Sequence, residues 1–92
     1  MQVFVAYLGD KANLYSTKYV ELLRDNGIYA EKDIMGRSLK AQLKYADKKK
    51  AKFVLTIGDN EIESKKAPLK NMETGEISQI DLEEIQELLK IL

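Results

Sequence analysis

Two short runs, Val3-Phe4-Val5-Ala6-Tyr7-Leu8 and Phe53-Val54-Leu55-Thr56-Ile57, are apolar on both alternating faces. A strand of that kind has no side for water, so it belongs in the middle of a sheet covered above and below by helices. The segments around them fit. From Lys11 to Asn26 the apolar residues Ala12, Tyr15, Tyr19, Leu22 and Leu23 recur at helical spacing, and Gly27 supplies a stop. Ile28 to Glu31 reads as a short second strand, followed by a polar loop from Lys32 to Arg37. Ser38 is placed to cap a second helix whose inner face carries Leu39, Leu43 and Ala46.

After the Phe53–Ile57 strand, residues 58 to 62 form a turn or one loose helical turn. Lys65 to Met72 and Glu76 to Ile80 then read as a hairpin, with Gly75 where a positive φ is needed. Pro68 argues that the first arm lies at an edge. Asp81-Leu82-Glu83-Glu84 has the pattern of a capping box for a last helix, whose stripe is Leu82, Ile85, Leu88, Leu89 and Leu92. Right-handed crossovers make the first three strands parallel. The expected fold is a single α/β domain over residues 1–92, in the order β-α-β-α-β-β-β-α, with a mixed five-stranded sheet flanked by helices. Partners of such sheets bind at the carboxyl ends of the parallel strands. Those ends are Gly9-Asp10, the loop from Lys32 to Arg37, and Gly58 to Glu61.

The chain has no Cys and no His. Disulfides, thiol nucleophiles and thiolate metal sites are excluded, as are the commonest general base and metal ligand. The absence of Cys fits a reducing cytosol. No apolar run is long enough to cross a membrane, and Val3–Leu8 is too short for a secretory leader and lacks its basic start. The five Gly residues are too far apart to cradle phosphate. A 92-residue chain also buries too small a core for a deep catalytic pocket with a lid. A binding domain, and no self-sufficient enzyme, is what these residues allow.

Net charge is zero, but its distribution is uneven. Residues 32 to 70 carry eleven Lys or Arg against five Asp or Glu, whereas residues 71 to 92 carry one Lys against six acids. A basic face on a neutral protein can hold nucleic acid; ordinary segregation of solvated charge gives the same count. Asp10 and Asp59 each follow a strand, where they serve as helix N-caps or as part of an acidic phosphoacceptor pocket. Lys48-Lys49-Lys50 closes a helix, as a solvated end or as a phosphate contact. Tyr7, Tyr15 and Tyr19 fall on core-facing positions, and Tyr29 and Tyr45 stay open as stacking residues.

The run from Ser38 to Asp47, read with Lys52 to Gly58 and Leu69 to Glu76, resembles the C-terminal anticodon-binding domain of histidyl-tRNA synthetases, within the class IIa family that threonyl-, prolyl- and glycyl-tRNA synthetases share. The resemblance covers essentially the whole chain. It implies a domain that grips the anticodon loop of tRNA(His), while a separate catalytic domain, expected to be absent from this chain, binds ATP and histidine and performs the ligation. It implies no cofactor in this domain, a cytoplasmic location, and a full-length enzyme that is a homodimer through its catalytic domain, with this piece a monomer. It further implies that Glu61, just after the third strand, reads an anticodon base; a carboxylate accepts hydrogen bonds from base amino and imino groups. Lys70 matches a basic anticodon contact in the following strand, and Arg37, Lys40 and Gln42 match contacts from the second helix and its loop. Gln42 departs from the Arg of the threonine-specific relatives. The rival readings are a synthetase-like domain turned protein-interaction module, and a small phosphoacceptor domain using Asp10 and Asp59.

Overall fold

A computed structural model describes residues 1–92. The elements run β1 (Val3–Tyr7), α1 (Asp10–Asp25), β2 (Ala30–Lys32), α2 (Leu39–Lys48), β3 (Phe53–Ile57), α3 (Asp59–Ser64), β4 (Lys66–Asn71), β5 (Ile77–Asp81) and α4 (Ile85–Ile91). They build one five-stranded sheet in the order β2-β1-β3-β4-β5. β1 pairs in parallel with β2 and β3, and β4 and β5 continue the sheet antiparallel. The mixed five-stranded sheet expected from the sequence is therefore present.

The two doubly apolar strands sit at the centre, and their alternate residues feed two cores. Val3, Val5, Tyr7, Leu55 and Ile57 join the larger one, with Tyr19, Val20 and Leu23 of α1 and Leu88 of α4. Phe4, Ala6 and Val54 point the other way and pack only with the α2 side, through Ala46. One face is thus covered by α1 and α4, and the other only where α2 crosses β1 and β3. Lys70 stands opposite Val54 in the β3–β4 register, and Ile77 opposite Lys70, so both share the α2 face in its uncovered part. Both are exposed.

The helix ends follow local chemistry. α1 stops as expected at Gly27: the Gly27 N–H donates to Arg24 O at 3.0 Å, the Ile28 N–H to Leu23 O at 3.0 Å, and Gly27 takes φ 81°. That same bond corrects the second strand, which starts at Ala30 and not Ile28, because Ile28 is still tied to the helix end. Ser38 caps α2, its Oγ accepting from the Ala41 N–H at 3.3 Å. Gly75 takes φ 79° in the β4–β5 turn, where Asn71 Oδ1 also accepts from the Glu73 N–H at 2.9 Å.

Four further expectations are corrected. Asp10 and Asp59 are not N-caps. Gly9 O and Gly58 O already accept the first helical bonds, from the Asn13 and Ile62 N–H groups, so each Asp lies one residue inside its helix and acts through the helix dipole. Asp81 forms no capping box; it remains the last residue of β5, its Oδ1 accepting from the Glu83 N–H at 2.9 Å, and α4 starts only at Ile85. Pro68 lies in an inner strand: β5 is the edge, and the β3–β4 register ends at Leu55 opposite Leu69, so Pro68 stands just past the point where its missing N–H would be needed. On α2, Leu43 is 38% exposed and Gln42 turns inward in its place.

Candidate nucleic-acid interface

Gln42 is the most deeply placed of the five site residues read from the sequence, at 1% exposed. Its Oε1 accepts from the Tyr7 N–H at 2.9 Å, and its Nε2 donates to Tyr7 O and to Arg37 O, both at 2.9 Å. The need for it is topological. β2 ends at Lys32, opposite Val5, so Tyr7 at the end of β1 has no backbone neighbour on that side. The Gln42 amide carries one acceptor and two donors and takes the place of the missing peptide group. The expected direct contact of Gln42 with RNA is corrected on this ground: every polar atom of its amide is engaged inside the fold. It positions Arg37 and the carboxyl end of β1.

Arg37 is held at three points. Its Nη1 donates to Asp33 Oδ1 at 3.1 Å, its backbone N–H donates to Asp33 Oδ2 at 2.9 Å, and its guanidinium carbon lies 4.5 Å from the centre of the Tyr45 ring. Asp33 is 2% exposed, and its ion pair with Arg37 satisfies a carboxylate that would otherwise be costly to bury. The sequence reading missed Asp33; the four-residue offset from Arg37 across Gly36 was its only signal. Next to it, Lys32 Nζ donates to Thr17 Oγ1 at 2.8 Å and to both oxygens of Asn13, and lies 4.7 Å from the Tyr7 ring centre. Burial lowers the Lys32 ammonium from its usual range, with Asp33 opposing the shift. Burial raises the Tyr7 phenol, and Asp33 adds to that. Lys32 therefore ties α1 to β2 and is not free for a ligand.

Glu61 lies in the first turn of α3. Its Oε1 accepts from the Gly58 N–H at 2.7 Å, which leaves Oε2 without a protein partner. Gly58 has an extended backbone, so φ does not demand glycine there. A Cβ at 58 would come within 2.9 Å of Glu61 Oε1, the far end of a flexible side chain, so a residue there would push the Glu61 carboxylate off the Gly58 N–H rather than be excluded. The dipole-and-cap role and an outward acceptor coexist in the same carboxylate.

Lys40 and Lys70 are both exposed and meet across a shallow groove of about 820 Å³ between α2 and the β4–β5 turn. Leu39, Leu43 and Met72 give it apolar lining, Lys44 adds a third cation, and Asp47 and Glu73 are its acids. Glu61 is not part of this groove. Lys70 pairs opposite Val54 near the start of β3, while Glu61 follows the end of β3, roughly 10 Å further along at about 3.3 Å per residue. The five residues thus divide into an amide inside the fold, an anchored Arg37, a two-lysine groove and a carboxylate at the strand end. Of the tyrosines, Tyr7 and Tyr19 are buried and Tyr15 packs against the core, as expected; Tyr29 is exposed and Tyr45 is half-buried under Arg37. No three acidic side chains converge on a point that could hold a metal ion. No helix is long and apolar enough to cross a membrane.

Comparison with known proteins bears on the fold and the family. The family model described as anticodon binding domain matches residues 2–92. The chain is 57% identical over 89 residues to the histidine–tRNA ligase of Acetivibrio thermocellus, covering 97% of this chain and 21% of that protein. It is 44% identical over 90 residues to the corresponding ligase of Oceanobacillus iheyensis, covering 98% and 21%. The crystal structure of apo Staphylococcus aureus histidyl-tRNA synthetase matches with a TM-score of 0.90 at 43% identity, over 96% of this chain and 26% of that one. The RNA binding domain of threonyl-tRNA synthetase from Cryptosporidium parvum has a TM-score of 0.83 over 97% of this chain and 22% of that one; at 22% identity this is a likeness of fold. The chain spans about a fifth of the length of the curated relatives it matches. Element order, the mixed sheet and a match over nearly every residue converge: the chain belongs to the anticodon binding domain family.

Proposed function

We propose that this chain is the anticodon-recognising part of a histidine–tRNA ligase. In this reading it holds the anticodon loop of tRNA(His) and so positions the tRNA for aminoacylation by a separate catalytic domain that uses ATP and histidine. The observation that carries the proposal is the 57% identity to a histidine–tRNA ligase over 97% of the chain. The surface supports it with an apolar-lined groove edged by Lys40, Lys44 and Lys70, suited to unstacked bases and their phosphates. Glu61 Oε2 is the base-reading acceptor, Lys40 and Lys70 contact base edges or phosphates, and Arg37 presents its guanidinium from the Tyr45 face. Gln42 acts through Arg37. The parent enzyme works in the cytoplasm as a homodimer joined through its catalytic domain, and this domain alone is a monomer that needs no cofactor. A protein-interaction module is the second reading, favoured by the exposed Ile34 and Met35, at 85% and 67%.

Titration of the chain with a histidine anticodon stem-loop, and with a scrambled-loop control, tests the first reading. Glu61→Gln keeps an oxygen for the Gly58 N–H while replacing the outward acceptor with a donor. It is expected to cut the preference for the cognate loop about 10- to 100-fold, the worth of one base-specific contact. Equal affinity of the unaltered chain for both loops, or a preference untouched by both Glu61→Gln and Glu61→Ala, would sink base reading through Glu61.

A further inference from the structure

The lysines of α2 are arranged against the interest of the helix. Lys40, Lys44 and Lys48 recur at intervals of four, about 6 Å apart at 1.5 Å per residue, and all three are exposed. Like charges at that spacing disfavour a helix, and the only acid in α2 is Asp47. The chain has fifteen basic and fifteen acidic residues, yet its one close ion pair is Arg37 with Asp33. No lysine of the ladder has a close ion-pair partner, although Asp47 and Glu73 border the same groove as Lys40 and Lys44.

The end of the same helix shows a second departure. The Lys50 N–H donates to Asp47 O at 3.0 Å and the Ala51 N–H to Ala46 O at 3.0 Å, the hydrogen-bond pattern that closes α1. In α1 the left-handed position of that motif is Gly27, whereas in α2 it is Lys50, with φ 56°. Glycine takes this conformation without strain, and a lysine there gives up backbone stability while keeping a cation. Neither the self-repelling ladder nor the strained lysine serves the stability of the fold, and Lys50 follows two residues after the ladder's last member. Lys65 at the close of α3 is also left-handed (φ 64°), so it is the ladder that sets α2 apart.

We propose that Lys44 and Lys48, continued by Lys50, bind the phosphodiester backbone of duplex RNA, namely the stem that carries the loop held in the neighbouring groove. The choice of duplex backbone over single-stranded bases follows from what surrounds the ladder. Tyr45, the one aromatic residue of α2, lies 5.7 Å from the Phe4 ring and has Arg37 and Lys49 over its own ring at 4.5 and 5.7 Å, so it offers no free face for stacking. A rigid row of cations without a stacking ring engages backbone charge and ignores sequence. Lys40 and Lys44 border the groove as well as belonging to the ladder, so a loop seated there has its stem alongside α2. The proposal rests on the anticodon-loop reading only for the identity of the stem.

The test measures binding by fluorescence anisotropy, across a salt series, for the chain, for Lys44→Ala/Lys48→Ala and for Lys50→Gly. Three RNAs are used: the histidine anticodon stem-loop, the same stem with a scrambled loop, and the loop nucleotides as a linear oligomer. The double variant should lose about 10- to 100-fold in affinity for both stem-loops at low salt, with a salt slope shallower by about two, because two phosphate contacts are gone. Its affinity for the linear oligomer should fall less than for the stem-loops, because Lys44 also edges the groove whereas Lys48 lies outside it. Lys50→Gly should melt higher yet bind both stem-loops more weakly, a combination that a purely structural role of Lys50 does not produce. The ladder is overturned if the double variant keeps its salt slope, if the linear oligomer weakens as much as the stem-loops, or if the unaltered chain binds none of the RNAs at low salt. Equal affinity for the cognate and scrambled stem-loops overturns the anticodon reading instead, and a slope that still falls by about two then upholds the ladder.

Discussion

Replacing Gln42 with Leu removes the amide while nearly filling its volume, so the change isolates hydrogen bonding from packing. The Tyr7 N–H and C=O lose their only partner on the β2 side, inside a region where Tyr7 is buried and Gln42 is 1% exposed. Each buried group left unpaired costs about 1–3 kcal/mol, so the two together cost about 2–6 kcal/mol. Arg37 O is only partly buried and adds little. Leucine needs less desolvation than an amide, which offsets about 1–2 kcal/mol and leaves a net loss near 3 kcal/mol. Against a total of about 5–14 kcal/mol for 92 residues, that is a large fraction. In urea, at roughly 1.5 kcal/mol per molar, the midpoint should fall by about 2 M with no change in slope. Amide hydrogen exchange adds a local readout: the Tyr7 N–H should lose protection while Val5 and Leu55 keep theirs. Gln42→Glu should be worse, since its second oxygen would face Tyr7 O and its charge would be buried. A loss below about 1 kcal/mol for Gln42→Leu, or a Tyr7 amide still as protected as that of Val5, refutes the sheet-extending role.

Two further perturbations follow from the same geometry. Lys50→Gly should raise stability by about 1 kcal/mol, and hence the melting temperature by about 4–8 °C, because it relieves a left-handed residue at the close of α2; a variant no more stable than the parent would show that φ 56° carries no strain. Burial, followed by Tyr15 and Asp81, pushes the Tyr19 phenol up to about 12, and its hydroxyl has no hydrogen-bond partner. With the folded value above the unfolded one near 10, this contribution is fully present below pH 10 and is lost as pH rises towards 12. Tyr19→Phe should therefore leave the urea midpoint at pH 7 unchanged or slightly higher and flatten its fall between pH 10 and 12; an equally steep fall in the variant contradicts the assignment.

Much of the scaffold was readable in the chain itself. Strands apolar on both faces require cover on both sides, glycines mark turns of positive φ at 27 and 75, and Ser38 announces a helix start. These are local signals, set by sterics and by the hydrogen bonds of neighbouring residues. Reading failed where a residue's role is fixed by a partner far along the chain. The inward turn of Gln42 answers a gap beside Tyr7, thirty-five residues away, that exists only because β2 stops short. Pro68 could be placed in an inner strand only once the β3–β4 register was known. Asp10, Asp59 and Asp81 were each expected to cap a helix, and hydrogen bonding placed the true caps one to three residues away from that reading.

The candidate site divides in the same way. Sequence by itself determined its inventory: a neutral chain with a basic middle, no His or Cys to run chemistry, and the residues through which the family resemblance named Glu61, Lys70, Lys40, Arg37 and Gln42. Only the tertiary structure decided which of these stand together. It set Lys40 beside Lys70 across a groove, kept Glu61 at the other end of β3, and withdrew Gln42 into the core. The physical reason is that charge and residue type are properties of the chain, whereas proximity and exposure depend on strand register and on which backbone groups remain to be satisfied.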